Sequence, residues 1–311
     1  MKNKIINIIV ILSCLFILIE VLINKYLIFN TISYSLNTWI NSIIPSLFPF
    51  FILSDILINY NITNYIPKVL KKTFTRLFNV SDNIITIFFL SILSGFPSSA
   101  RNIRMMYDNN MITESEASHI LIFTHFSNPL FILGTISVFF LKDNNLGIII
   151  LISHYIPNII LGIITRKYNN PQKNINNNKQ ISNISFSKVL INSIKNSINT
   201  LITILGTLTC FLVLSSIIIN RINLSPYTGS ILKGILEITM GIKSLANLNI
   251  PKIYITIISS MFLSFGGLSV HMQVLSFLID TNISYKKFFI ARLYHSILSG
   301  IICYILYIII I

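Results

Sequence analysis

Long apolar runs recur along almost the whole chain, at roughly 5–28, 35–60, 84–100, 117–141, 146–165, 189–220, 228–247, 250–268 and 287–311. A bilayer core is crossed by about 20 helical residues. In lipid, backbone hydrogen bonds must be satisfied within the chain, so these runs predict helices. The 311 residues are 53% hydrophobic and only 10% charged, where soluble domains carry about 25% charged residues. An ordinary cytosolic enzyme, a disordered chain and a nucleic-acid binder are excluded, despite a net charge of +14. A polytopic membrane protein remains, with room for roughly seven to ten membrane-entering segments. Cys14, Cys210 and Cys303 lie far apart inside apolar runs, so they form no disulfide framework or metal-spaced pair.

The placement of charge predicts orientation. No acidic residue lies between Asp143 and Glu237, while that interval holds Arg166, Lys167, Lys173, Lys179, Lys188, Lys195, Arg221 and Lys233. Basic residues near helix ends stay cytoplasmic; because the cations are spread along short loops, this reading is preferred to a lipid- or nucleic-acid-binding patch. At the amino terminus, Lys2 and Lys4 precede an apolar run reaching Ile19, with no small-residue cleavage site, which predicts an uncleaved membrane helix. With that terminus inside, the basic loop 61–83 is cytoplasmic. The Asn-rich linker 166–187 is also inside, provided that 84–116 enters and returns on one side. The same logic places Lys243, Lys252, Lys286 and Lys287 inside and makes 250–285 a second re-entrant element.

Helix breaks sit inside two of the runs, at Gly95-Phe96-Pro97-Ser98-Ser99 and at Gly266-Gly267-Leu268-Ser269. After 13 residues each reaches an Asx-containing turn, Asp108-Asn109-Asn110 or Asp280-Thr281-Asn282, and then another apolar helix. The shared spacing predicts an internal duplication. Paired interrupted segments in corresponding halves point to a transporter binding site, since a half-helix amino terminus offers unpaired amides and partial positive charge to an anion. A kinked packing helix is the plainer alternative for either break alone.

Several polar residues lie beside or within these runs. Arg101, Asn102 and Arg104 follow the first break directly; Arg suits a carboxylate because its planar fork donates two parallel bonds. They could equally snorkel to the headgroups or be neutralised by Asp108, Glu114 and Glu116. His125, Ser127 and Asn128, just before Pro129, are candidates to line a cavity, as are Ser269, His271 and Gln273 after the second break. His119 reads as helix packing. Glu237 is the lone acid of an apolar run, which marks it as a functional candidate or as a salt-bridge partner of Lys233 or Lys243. The candidate solute-binding set is therefore Gly95, Pro97, Ser98, Ser99, Arg101, Asn102, Arg104, His125, Ser127, Asn128, Glu237, Gly266, Gly267, Ser269, His271 and Gln273. No phosphate loop, nucleophile elbow or metal-spaced histidine pair occurs, so the chain is read as a non-enzyme without cofactor or metal.

Five separated stretches resemble one family. They are Ile44-Pro45-Ser46-Leu47-Phe48-Pro49-Phe50-Phe51-Ile52-Leu53-Ser54, Ser94-Gly95-Phe96-Pro97-Ser98-Ser99-Ala100, Asn128-Pro129-Leu130-Phe131-Ile132-Leu133-Gly134, Gly234-Ile235-Leu236-Glu237-Ile238-Thr239-Met240-Gly241-Ile242 and Phe265-Gly266-Gly267-Leu268-Ser269-Val270-His271-Met272-Gln273-Val274. Together they are similar to the YlbJ-type sporulation integral membrane proteins over about residues 35–300. The resemblance implies a nucleoside-recognition "Gate" domain, also found in nucleoside transporters and ferrous-iron permeases. It further implies a role in endospore formation in Firmicutes, in the membrane around the developing spore, with dipicolinate as the implied solute. Ser98-Ser99 stands where that family more commonly has a glycine-containing pair, which bears on the substrate more than on the fold.

The expectation is an all-α polytopic membrane protein of two homologous halves, each with a broken, re-entrant hairpin. Its parts are an N-terminal transmembrane helix (1–30), a first Gate-like repeat (31–165), the basic cytoplasmic linker (166–187) and a second repeat (188–311). The expected activity is permeation of a small organic anion; a nucleoside or other small polar solute, or a non-transporting role in a sporulation assembly, are the alternatives. Expected partners are the anionic solute and the lipid bilayer, with homo-oligomer formation left open and nucleic acid excluded. A cysteine placed at Asn177 should react with a membrane-impermeant maleimide only from the cytoplasmic face; labelling of intact cells from outside would reverse the orientation.

Overall fold

The computed structural model describes residues 2–166 and 185–311. Most of the Asn-rich linker, including the Asn177 position, lies outside the described residues. Among the described residues the chain is helical with no strand, and six stretches are long and apolar enough to cross a membrane. The multi-pass, all-α character read from the apolar runs is therefore present.

The first helix, α1 (Lys2–Ile23), stands largely apart: the apolar side chains from Ile5 to Ile23 face outward. One polar clamp attaches it. Buried Glu20 accepts from Arg221 Nε at 2.7 Å and from Asn24 Nδ2 at 2.8 Å. Helices α2 (Lys25–Thr38) and α3 (Ile44–Asn59) join through a π-helical turn at Trp39–Ile43 into one continuous rod of 35 residues. The long α9 (Phe186–Ile222) runs antiparallel to this rod, held by Trp39 Nε1 donating to Leu201 O and by hydroxyl pairs Ser35–Thr209 and Thr31–Ser216. Basic α4 (Lys68–Phe78) lays Phe74 and Phe78 against the bundle and keeps its lysines outward.

Helices α5 (Ile84–Ser94) and α6 (Ser98–Asp108) make a hairpin whose tip is Gly95-Phe96-Pro97. Its two ends meet, since Asn83 Nδ2 donates to Met111 O at 3.0 Å. Gly95 has φ +71°, and a Cβ there would lie 2.6 Å from Asn128 N, so the tip needs glycine both for its backbone and for its neighbour. Next, α7 (Glu114–Phe123) breaks at 124–128, and the helix that resumes there continues as a π-helical segment, Phe131–Leu141. A capping box of Thr113 and Glu116 starts α7, and α8 (Asn144–Thr165) returns across the bundle.

Apart from α4, which has no counterpart after α9, the second half has the same kinds of element in the same order. Helices α10 (Pro226–Leu236) and α11 (Ile238–Ala246) pack on one another as a hairpin with Glu237 at the tip. Then come α12 (Lys252–Phe265) and α13 (Gly267–Leu278), separated by Gly266, and the returning α14 (Tyr285–Ile310).

Two expectations are corrected here. The segment 250–285 does not re-enter. Lys252, at the start of α12, bonds Asp143 at the start of α8, whereas Ile279 O, after α13, accepts from Arg104 and Ser284 N donates to Ser118. The start of α8 lies a full span, about 33 Å, from its end, where Arg166 O accepts from Asn79 beside the start of α7. So α12 and α13 cross the bundle as one interrupted helix. For the same reason Lys252 stands at the opposite end from Lys286 and Lys287, not beside them. The hairpin of the second half is α10–α11, one element earlier than the glycine spacing indicated, because that spacing pairs the hairpin tip of one half with the interrupted helix of the other.

Hairpin α10–α11 closes through glycine. A Cβ on Gly241 would fall 2.1 Å from Gly234 Cα, backbone that cannot step aside, while one on Gly206 in α9 meets nothing within 4 Å. Gly241→Ala should therefore lower the melting temperature of the purified protein, by the equivalent of about 1–3 kcal/mol of overpacking. Gly206→Ala should leave it unchanged or slightly raised.

Candidate functional site

Each hairpin tip rests on the break of the helix that follows it. Gly95 is seated on Asn128, and Gly267, at φ +63°, on Gly234 O and Ile238. The two pairs then face one another across a cavity with about 560 Å3 of empty space, its open mouth included. Phe96 and Pro97 come from the first tip, Ser127, Asn128 and Phe131 from the first break. Glu237, Ile238 and Thr239 come from the second tip, and Ser269, Val270 and Gln273 from α13; Ser46 and Leu47 of α3 with Ile204 and Leu208 of α9 close the sides.

Two of the lining residues cap half-helices. Asn128 Oδ1 accepts from Leu130 N at 2.7 Å and from Phe131 N, while its Nδ2 donates to Ser46 O and Leu93 O. Glu237 accepts from Thr239 N at 3.0 Å, Thr239 Oγ1 at 2.7 Å and Met240 N at 2.8 Å. A carboxylate at a helix amino terminus is favoured by the partial positive charge there. Glu237 pairs with neither Lys233 nor Lys243 in the salt-bridge sense; Lys243 lies over the Tyr34 ring at 4.4 Å. By contrast, the amino ends of α6 and α13 carry no side-chain cap. They reach the cavity edge at Pro97 and Ser269.

Of the residues nominated from sequence, the cavity gathers Pro97, Ser127, Asn128, Glu237, Ser269 and Gln273, the last donating to Thr207 Oγ1 at 3.0 Å. The others serve the walls or lie elsewhere. Gly95, Gly266 and Gly267 shape the breaks. Ser98 bonds Gly95 O, Ser99 is buried with an unpartnered hydroxyl, and Asn102 is buried with both amide atoms unpartnered. His125 is fully buried behind the tip, stacked on Phe96 at 4.9 Å, with both ring nitrogens unpartnered. His271 faces away from the cavity, between Tyr285 OH at 3.0 Å and Phe265 O at 3.1 Å.

Arg101 and Arg104 border a separate, more polar recess with Asp55, Asp108, Asn196 and Thr200. Arg101 Nη2 donates to Asp55 Oδ1 at 2.7 Å and to Phe51 O at 3.1 Å, and the guanidinium lies 4.8 Å from the centre of the Phe51 ring. Arg104 takes Asp108 through Nε at 2.7 and 2.8 Å and donates from Nη1 to Ile279 O, capping the end of α13. Internal neutralisation by Asp108 is thus what Arg104 shows, whereas the acid that meets Arg101 is Asp55, on α3.

Sequence reasoning passed over a fully buried cation. Arg292, fully buried in α14, has no carboxylate partner among the described residues. It donates to the carbonyls of Ile122 and His125 at the broken end of α7, to Asn158 Oδ1 at 3.1 Å and to His295 Nδ1 at 2.8 Å. His154 Nε2 accepts from Ser127 N at 2.9 Å, so its Nδ1 carries the hydrogen and donates to Ser264 Oγ. His295 then donates from Nε2 to His154 O at 2.8 Å. The signal was a single cation deep in an apolar run, masked by Lys286 and Lys287, which make the helix start look merely basic.

Asp55 and Arg101 are both nearly buried, so breaking the pair should unfold more than removing it. Arg101→Met alone should cost about 3–5 kcal/mol by the stranded carboxylate. Arg101→Met with Asp55→Asn should recover a clear part of that in detergent melting curves. Equal losses in single and double variants would assign Arg101 an energetic role apart from Asp55.

Comparison with known proteins adds a relative. The chain is 29% identical over 308 aligned residues to the "Sporulation integral membrane protein YlbJ" of Bacillus subtilis (strain 168), covering 88% of this chain and 76% of that protein. No family model matches the chain, and no solved structure matches it. Similarity of that extent, together with the bundle of apolar helices, supports a YlbJ-type assignment for this chain.

Proposed function

We propose that this chain is a permease carrying a small organic solute through the cavity between its two hairpin tips. One observation carries the reading: two hairpin tips and two helix breaks converge on one half-open cavity, most of whose polar side chains stand at or beside those interruptions. Irregular backbone at membrane depth is tolerated where it is buried in protein or lines a cavity, and such paired interruptions are where secondary transporters bind their solutes. The flat faces of Phe96 and Phe131, beside hydroxyls and amides from Ser46, Ser127, Asn128, Thr239, Ser269 and Gln273, suit a planar solute with polar edges. The uncapped amino ends of α6 and α13 favour carboxylates at those edges. Dipicolinate, the solute implied by the resemblance, has this shape and charge. The name of the Bacillus subtilis relative adds a sporulation setting.

A second reading rests on a specific group. Glu237 is the one ionisable side chain lining the cavity, and an ionised carboxylate there disfavours a dianion. A nucleoside or other uncharged polar solute fits that charge balance better. The carrier role needs no cofactor and no chemical step on the solute.

Purified protein in proteoliposomes separates these readings. Saturable uptake of labelled dipicolinate is expected, and Ser269→Ala combined with Thr239→Val should raise the half-saturation concentration about tenfold, as the loss of two hydrogen bonds of ordinary strength would. Saturable uptake of nucleoside without dipicolinate flux would favour the second reading. Absence of flux for both would leave a non-transporting membrane component of a sporulation assembly.

A further inference from the structure

A cleft on the outer surface of the bundle lies away from the solute cavity, between α7, α8 and α14. It offers about 770 Å3 of empty space, open mouth included. Its floor is apolar, formed by Ile122, Leu161 and Ala291, which cluster together with Leu298. Its rim is polar and basic. Lys287 lines it directly and Lys286 precedes that residue in the exposed first turn of α14, whereas Arg166, next to the lining residue Thr165, turns its guanidinium to Leu77 O on α4. Of the nearby acids, Glu116 is turned to the backbone amides of Ser81 and Thr113, leaving exposed Glu114 as the local counter-charge.

One buried group in the wall has an unused valence. His119 is 5% exposed. Thr165 Oγ1 donates to Leu161 O, so it accepts from His119 Nε2–H at 3.1 Å, and this leaves His119 Nδ1 as an acceptor with no partner. From Lys287 to Tyr294 the cleft follows α14 for about 10 Å, with Ile290 and Tyr294 forming its outer lip.

We propose that this cleft is a binding site for an anionic phospholipid from the surrounding bilayer. The phosphodiester sits at Lys287, a headgroup hydroxyl donates to His119 Nδ1, and an acyl chain lies along Ile122, Leu161 and Ala291. The argument is charge complementarity joined to position. An ammonium-rimmed apolar cleft between membrane helices, at the end of the bundle that carries the basic connectors, matches the arrangement of an anionic lipid's head and tail. A soluble phosphate compound would use the rim and leave the apolar floor in contact with lipid tails. The proposal is independent of what, if anything, the central cavity carries.

The test is binding of individual lipids to delipidated full-length protein in detergent, counted by native mass spectrometry. Phosphatidylglycerol is expected to bind about fivefold or more tightly than phosphatidylcholine, with Lys287→Ala removing about a fivefold preference. Ala291→Trp, which fills the floor, should weaken both lipids. Lys68→Ala, which removes a cation from the exposed face of α4, should leave the preference intact, and Lys287→Arg should retain it. Equal affinity for the two lipids, indifference to Lys287→Ala, or displacement of phosphatidylglycerol by inorganic phosphate would overturn the proposal. Should Ala291→Trp fail to fold, Lys287→Glu, expected to reverse the preference, decides the matter.

Discussion

Backbone amides and carbonyls released inside an apolar bundle must find partners, and the structure is arranged around that need. An unpaired buried polar group costs about 1–3 kcal/mol in proteins, and more in hydrocarbon. At the broken end of α7, Arg292 and Asn158 reach the freed carbonyls and Tyr155 OH donates to Ser127 O at 2.9 Å. At the end of α12, His271 meets Phe265 O. The carboxyl end of a half-helix carries partial negative charge, which gives the Arg292 guanidinium a counter-charge made of dipoles where no carboxylate is present. A charged side chain is thus retained in a place where lipid alone would not tolerate it.

The same network ties the halves together. His154 on α8 holds Ser127 of the first break and Ser264 beside the second, while α14 supplies both Arg292 and His295. The returning helices α8 and α14 therefore form a rigid polar seam behind the cavity, with the serine pairs Ser153–Ser260 and Ser260–Ser299 continuing it through small residues. The hairpins α5–α6 and α10–α11 lean on this seam by their tips.

Much of this was legible in the amino-acid pattern. Apolar runs located the long helices, since bilayer depth leaves a chain few alternatives. Glycine with proline marked the first tip, because those residues cannot continue a helix there. The second half was misplaced for an equally physical reason. Gly266 and Gly267 break a helix as visibly as Gly95 does, but a break shows only that regular structure stops, not whether the chain turns back or crosses. The true turn at Glu237 has no helix breaker at its apex; it depends on a carboxylate cap and on Gly234 and Gly241 three residues before and four after. Lys252 looked cytoplasmic by its sign, yet its partner Asp143 places it at the other end. Arg292, His154 and His295 are lone polar residues whose purpose exists only once three distant segments meet.

The two capping side chains at the cavity are unlike. Asn128, at the break after α7, is a neutral amide with its oxygen and nitrogen both engaged, and Glu237, at the tip of the other hairpin, is an acid. The two caps thus enclose a space without electrical symmetry, with a gradient running from one to the other. A guest with two like ends would meet two different receptions there, and its direction of seating would be set before any helix moved.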